Sequence, residues 1–86
     1  MFEQYIEDGH TIFHGDALHI LSSEISSESV DLVFIDPPYN IGKRFSNFYD
    51  KWQSDEEYAK WAYKLLDECL RILKPNGTLY VTATID

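Results

Sequence analysis

The apolar run Leu32-Val33-Phe34-Ile35 is followed at once by Asp36-Pro37-Pro38, and this junction limits the possible folds more than any other feature of the chain. A nearly continuous apolar run of strand length, from Val30 to Ile35, is typical of a parallel strand that is buried on both faces. Proline lacks an N–H group and holds φ at about −65°, so two successive prolines end a strand and begin a loop. The junction therefore predicts a buried parallel strand with a stiff loop at its carboxyl end.

Strand and helix patterns alternate along the rest of the chain. We predict further strands at residues 11–14, after an Asp8-Gly9 turn, and at residues 78–84. Asp16 is placed to cap a first helix, and Ser54-Asp55-Glu56-Glu57 is a capping box that opens a second. The apolar positions are Leu18, Leu21 and Ile25 in the first helix, and Tyr58, Trp61, Ala62, Leu65, Leu66, Cys69, Leu70 and Leu73 in the second.

The order strand, loop, helix and strand is a β-α-β unit, whose two strands run parallel through a right-handed connection. The predicted fold class is therefore α/β, with an irregular stretch at residues 41–53. In open sheets of this kind, ligands bind beyond the carboxyl ends of the strands, where residues 36–40 are expected. Residues 78–84 have no helix after them to cover the sheet, so we expect a truncated parallel sheet with flanking helices in one partial domain, residues 1–86.

Asp36-Pro37-Pro38-Tyr39 combines the groups that methylation of an amino nitrogen requires. The exocyclic amino group of adenine or cytosine is a poor nucleophile because its lone pair is delocalised into the ring. Two acceptors that take both N–H hydrogens would localise this lone pair and aim it at an incoming methyl group. The Asp36 carboxylate and the Pro37 carbonyl can supply these acceptors. Tyr39 offers a flat ring on which an extruded base can stack.

Asp36-Pro37-Pro38-Tyr39 is similar to the catalytic motif of DNA adenine-N6 and cytosine-N4 methyltransferases. Residues 11–86 resemble this family throughout. The matching stretches are Gly15-Asp16, Ser29-Val30-Asp31-Leu32-Val33, Tyr39-Asn40-Ile41-Gly42 and Leu73-Lys74-Pro75-Asn76-Gly77-Thr78-Leu79. The resemblance implies a Rossmann-like methyltransferase fold, S-adenosyl-L-methionine as cofactor, and methyl transfer to a base flipped out of DNA.

The position of the motif narrows the resemblance to one subgroup. The four glycines, at 9, 15, 42 and 77, are isolated, so no Gly-x-Gly cofactor loop precedes Asp36. The chain thus resembles the beta subgroup, in which the catalytic motif comes first and the glycine loop and target-recognition region follow. Neither later part is present in these 86 residues. We therefore expect a catalytic-motif fragment that is inactive alone and requires the remainder of the methyltransferase, or a second subunit.

The resemblance also assigns roles to residues. Asp36, Pro37, Pro38 and Tyr39 form the catalytic segment, and Asp36 lies near the methyl donor as well. Asp16 resembles the acidic position that contacts the adenine ring of the cofactor in related enzymes. The alternative for Asp16 is that it is only a helix N-cap, where aspartate is favoured in any case.

Charge is distributed unevenly along the chain. The formal net charge is −8, and all seven Lys and Arg residues lie at or after Lys43. Because phosphate contacts need clustered cations, strong DNA binding by this chain alone is not expected. Lys43 and Arg44 follow the motif and are candidates to bind a phosphate beside the flipped nucleotide; the alternative is two solvated loop cations.

The remaining composition argues against a membrane segment, a signal peptide and a metal site. No run of eighteen apolar residues and no signal peptide is present in the sequence, which favours a cytoplasmic protein without a membrane segment. His10, His14 and His19 lack ligand spacing, so no metal site is expected. Cys69, the single cysteine, is predicted to be a buried core residue.

Three functions remain open. The first is methylation of adenine N6 in DNA, favoured over cytosine N4 because the motif begins with Asp, although Asp occurs in both groups. The second is methylation of RNA or of a protein glutamine, although those enzymes usually begin the motif with Asn. The third is a non-catalytic remnant or assembly module that binds a partner, or a second copy, through uncovered faces.

Overall fold

The computed structural model describes residues 2–38, 43–45, 48–50 and 52–83. Their elements in chain order are β1 (Glu3–Glu7), β2 (His10–His14), α1 (Ala17–Glu24), β3 (Val30–Ile35), β4 (Lys43–Phe45), β5 (Phe48–Asp50), α2 (Asp55–Ile72) and β6 (Leu73–Val81). Within the described residues the strands pair as β1 with β2, β3 with β6, and β4 with β5. The β3–β6 pair is parallel, and the other two pairs are antiparallel.

The unit β3-α2-β6 confirms the α/β class and the parallel sheet predicted from the sequence. Val33 lies opposite Leu79 and Ile35 opposite Val81 in the parallel register. The strand after the helix begins earlier than the predicted Thr78, because Leu73 already pairs with Val30. The helix therefore ends at Ile72, and strand pairing starts at the next residue. The register shifts between Val30 and Leu32, and the regular ladder continues from Leu32 onward.

The amino-terminal residues form a β-hairpin rather than a strand of the parallel sheet. Asp8 and Gly9 have φ values of 51° and 77° and connect β1 to β2. An Asp-Gly loop with two positive φ angles matches the twist of a hairpin, so the predicted turn is confirmed. The predicted strand at residues 11–14 is present in β2, but its partner is β1, which the sequence analysis missed.

Both predicted helix caps are present. The Asp16 side chain accepts a hydrogen bond from the backbone N–H of Leu18 at 3.2 Å and caps α1. The Ser54 hydroxyl oxygen accepts one from the N–H of Glu57 at 3.1 Å and caps α2. The first turn of α2 carries three acidic residues, which the partial positive charge of a helix N-terminus favours.

Helix α2 packs on one face of the β3–β6 sheet and forms the core with it. The buried residues of this core are Val33, Leu65, Cys69, Ile72 and Leu73. Cys69 is fully buried, as predicted. The expectation that β3 is buried on both faces is wrong for this chain, because Leu32 is 56% and Phe34 67% exposed on the other face. Leu70, predicted on the apolar side of α2, is 59% exposed.

Arg71, near the end of α2, joins the two helices. Its Nη2 donates hydrogen bonds to the carbonyl oxygens of Leu21 and Ile25, at 2.7 and 2.9 Å. Its Nη1 donates to the Ser27 hydroxyl at 3.0 Å, and its Nε pairs with Glu68 at 2.6 Å. The last carbonyl groups of a helix have no partners within the helix. Arg71 therefore satisfies polar groups at the end of α1 while holding α1 against α2.

Short strands occupy part of the stretch predicted to be irregular. Lys43 in β4 pairs with Asp50 in β5, and Phe45 pairs with Phe48. The prediction that residues 41–53 are irregular is therefore wrong for residues 43–45 and 48–50.

No helix in the described part of the chain is long and apolar enough to cross a membrane. The same described residues contain no group of three histidine, cysteine or acidic side chains placed to hold a metal ion.

Candidate active site

The two parallel strands bring Asp36 and Thr82 together at their carboxyl ends. Asp36 directly follows β3, and Thr82 directly follows β6. The Thr82 backbone N–H donates a hydrogen bond to the carbonyl oxygen of Ile35 at 3.0 Å, which extends the ladder by one residue. The Thr82 hydroxyl then donates to Asp36 Oδ1 at 2.5 Å. The carboxylate is thus oriented by the neighbouring strand, although the Asp36 residue itself is exposed.

The two prolines after Asp36, Pro37 and Pro38, are called here the proline loop. They are half-buried and are connected to helix α2 by a hydrogen bond. The Tyr58 hydroxyl donates a hydrogen bond to the carbonyl oxygen of Pro38 at 2.8 Å. Tyr58 lies in the first turns of α2, whose start is fixed by the Ser54 cap. Because proline also holds φ, the loop is restrained both by its own rings and by this hydrogen bond.

Three aromatic rings, including that of Tyr58, pack together at the start of α2. We call Trp52, Tyr58 and Trp61 the aromatic cluster. The ring centroid of Trp52 lies 4.9 Å from that of Tyr58 and 4.9 Å from that of Trp61. The Tyr58 and Trp61 centroids are 6.1 Å apart. Such distances are typical of stabilising aromatic pairs. The aromatic cluster limits where the Tyr58 hydroxyl can point.

An open cleft of about 580 Å³ runs along β3 from Val30 to the carboxyl end of the strand. Its lining includes Gly15 and Ala17 as well as Asp36, Pro37 and Pro38. A second cavity, of about 300 Å³, lies between α2 and the end of β6 and includes Pro37, Tyr58, Trp61 and Thr82. Pro37 lines both cavities. The part of the cleft lined by residues 36–38 lies at the carboxyl end of β3, where α/β folds bind small ligands.

The structure places some of the predicted site residues and leaves others outside the described residues. Asp36, Pro37 and Pro38 lie together at the cleft. Asp16 lies between two residues of the cleft wall, and its carboxylate caps α1. Tyr39 lies outside the described residues. For Lys43 and Arg44 the structure describes the backbone pairing of β4.

Thr82 and Tyr58 are the site residues that the sequence analysis missed. Thr82 was part of the strand predicted at residues 78–84, and Tyr58 was placed on the apolar side of the second helix. Neither Thr82 nor Tyr58 belongs to a recognisable sequence motif. The available signal for Thr82 was its place near the carboxyl end of a strand that neighbours the motif strand.

Comparison with known proteins identifies a matching family. The sequence model of the DNA methylase family matches residues 30–85, which include β3, the proline loop, α2 and β6. The chain is 46% identical over 74 residues to the DNA adenine methyltransferase YhdJ of Escherichia coli K12, covering 86% of this chain and 24% of that protein.

Two further relatives are type II methyltransferases. The chain is 37% identical to M.BamHI of Bacillus amyloliquefaciens, over 81% of this chain and 16% of the relative. It is 41% identical to M.BglII of Bacillus subtilis, over 80% of this chain and 18% of the relative. The chain thus spans a quarter or less of the length of these three relatives. Because the family match covers the very unit that carries Asp36 at the end of a parallel strand, this chain belongs to the DNA methylase family.

Proposed function

We propose that the chain carries the catalytic loop of a methyltransferase that transfers a methyl group from S-adenosyl-L-methionine to the N6 amino group of adenine in DNA. The observation that supports this most directly is the Asp36 carboxylate, which lines the cleft, is oriented by Thr82 and is followed by a restrained proline loop. Membership of the DNA methylase family supports the same reaction and favours DNA over RNA or a protein glutamine.

The proposed chemistry assigns one task to each group of the loop. The Asp36 carboxylate accepts one hydrogen of the amino group, and the Pro37 carbonyl accepts the other, so that the nitrogen lone pair is localised on the side of the methyl donor. The cofactor supplies an electrophilic methyl group on a sulfonium. The C–S bond of this donor would break as the new C–N bond forms, and the electron pair of the C–S bond would remain on sulfur. The proton that the nitrogen loses passes to the Asp36 carboxylate and then to water.

Several described residues fit the proposed cofactor. The cleft of about 580 Å³ lies in the range of sites that bind ligands of this size. The Asp36 carboxylate at its wall is complementary in charge to a cationic methyl donor. The Asp16 carboxylate already caps α1, and we propose that it also faces the adenine ring of the cofactor, since Gly15 and Ala17 beside it line the cleft.

DNA is the proposed partner, through the full-length protein. The net charge of −8 opposes DNA binding by these residues alone, so most phosphate contacts are assigned to other parts of the protein. We propose that Lys43 and Arg44 bind a phosphate beside the extruded base, and that Tyr39 stacks on that base. A cytoplasmic location is part of the same proposal.

Transfer of a tritiated methyl group to DNA by the full-length protein tests the proposal. Asp36→Ala should lower the single-turnover rate about 100-fold or more, the typical effect of losing one preorganised electrostatic contact. Asp31→Ala is the matched control, because Asp31 lies on β3 and its ion pair with Lys74, at 3.1 Å, is on the surface. Hydrolysis of the DNA to nucleosides identifies the methylated base. Detection of N4-methylcytosine instead of N6-methyladenine would identify cytosine as the target base. Absence of methyl transfer by the wild-type protein would contradict the proposed function.

A further inference from the structure

We propose that Thr82 is a positioning residue that sets the orientation of the Asp36 carboxylate for methyl transfer. This inference rests on the proposed function, in which Asp36 accepts a hydrogen of the target amino group. It adds a role to a residue that lies 46 positions beyond Asp36 in the sequence. Thr82 itself is not proposed to touch the base or the cofactor.

The backbone fixes the place of the Thr82 hydroxyl. Ile35 and Val81 are paired in the parallel ladder, and the Thr82 N–H donates to the Ile35 carbonyl at 3.0 Å. Thr82 therefore continues the ladder beside Asp36 instead of starting a separate loop. Threonine is also β-branched, which restricts its χ1 angle, so its hydroxyl is held in place more firmly than that of a loop serine.

The hydroxyl restrains a torsion that is otherwise soft. The χ2 angle of aspartate, which rotates the plane of the carboxylate, has a broad distribution and not three sharp minima. A hydrogen bond from Thr82 to Asp36 Oδ1 at 2.5 Å has the short length typical of an O–H donor to an ionised acceptor. It fixes the plane of the carboxylate relative to the sheet.

This hydrogen bond is compatible with the acceptor role of Asp36. An ionised carboxylate has about four lone-pair positions on its two oxygens, and Thr82 uses one of them. Thr82 can therefore orient the carboxylate while Asp36 accepts an amino hydrogen. A misplacement of a reacting group by about 1 Å can cost about 100-fold in rate, so the loss of the restraint should be visible in kcat.

The test compares Thr82→Val with Thr82→Ser in the full-length protein. Valine keeps the shape of threonine and lacks the hydroxyl, so kcat for methyl transfer should fall about 10- to 100-fold while KM for DNA and for the cofactor changes little. Serine keeps the donor and should retain most of the activity. Thr78→Val is the control, because Thr78 lies within β6, four residues before Thr82, and this variant should behave as the wild type. Thermal unfolding of all variants separates loss of structure from loss of positioning.

A double variant shows whether Thr82 acts through Asp36. In the Asp36→Ala background, Thr82→Val should cause no further loss of rate, because the group that it orients is absent. Additive losses, or an unchanged kcat in Thr82→Val alone, would overturn the inference while leaving the proposed function intact. Absence of methyl transfer by the wild-type protein would instead remove the proposed function, and this inference with it.

Discussion

The Tyr58 hydroxyl donates a hydrogen bond to the Pro38 carbonyl oxygen at 2.8 Å and thereby ties helix α2 to the loop that follows β3. Proline has no N–H, so the two prolines of this loop cannot be held by backbone donation of their own. The hydrogen bond from Tyr58 adds a restraint from outside the loop to the one that the proline rings provide. It also couples the geometry of the proposed catalytic segment to the packing of the aromatic cluster.

Removing this hydroxyl should impair methyl transfer more than it impairs folding. Tyr58→Phe keeps the ring in the aromatic cluster but loses the hydrogen bond to Pro38, and we expect the rate of methyl transfer to fall about 10-fold, the effect of a net loss of about 1.4 kcal/mol. Tyr63→Phe is the control, because Tyr63 is an exposed tyrosine on the same helix. Equal single-turnover rates for the two variants would show that the loop is positioned without Tyr58.

Tyr39 should act through its ring rather than through its hydroxyl. Stacking requires only a flat aromatic face, so Tyr39→Phe and Tyr39→Trp should keep much of the activity. Tyr39→Ala should hold the extruded base less firmly by about 1 to 3 kcal/mol. Fluorescence of 2-aminopurine at the target position reports base extrusion. The stacking role would be refuted by equal extrusion in the Phe and Ala variants.

Arg71 should stabilise the contact between the two helices. Arg71→Lys keeps the charge, but a lysine ammonium cannot reproduce the planar set of donors that bind Leu21, Ile25 and Ser27 together. Because an ammonium cannot serve both carbonyl oxygens and Ser27 in this geometry, at least one acceptor at the end of α1 loses its charged donor, and we expect the free energy of unfolding to fall by about 1 to 3 kcal/mol.

Urea unfolding of the full-length protein measures the effect of the Arg71 variant. Lys64→Ala is its control, since Lys64 is an exposed residue on the same helix. A midpoint for Arg71→Lys that matches the midpoint of Lys64→Ala would mean that the cluster of hydrogen bonds contributes nothing to stability.

Cys69 should make stability depend on pH in the alkaline range. Burial, with a smaller contribution from the nearby Glu68 carboxylate, raises the pKa of the Cys69 thiol above its ordinary value of 9.0. The folded chain therefore holds the thiol proton more tightly than the unfolded chain. The stability that this provides is complete below the unfolded pKa and is lost as the pH rises through the folded pKa.

The comparison of wild type with Cys69→Ala isolates this effect. At neutral pH the wild type should be the more stable, because alanine leaves space in the core formed with Leu65 and Ile72. Above about pH 9 the difference in the free energy of unfolding should shrink. A difference that stays constant from pH 7 to pH 10 would contradict the assignment of the alkaline loss to this thiol.

The sequence alone determined the elements whose causes are local. The apolar run before Asp36 indicates β3, and the two prolines indicate where it ends. The caps at Asp16 and Ser54 involve partners only two or three residues away, so their side chains can be read directly from the sequence. The Asp-Gly turn between β1 and β2 is equally local. The carboxylate and the proline loop of the site were therefore predictable.

Only the tertiary structure decided which distant groups meet. The antiparallel pairing of β2, the exposure of Leu32 and Phe34, and the early start of β6 all depend on which surface packs against which strand. The hydrogen bonds from Thr82 to Asp36 and from Tyr58 to Pro38 span 46 and 20 residues. A single hydroxyl has no periodicity that a sequence pattern can reveal. Its partner is set by strand register and by the packing of α2, and both of these are established only when the β-α-β unit closes.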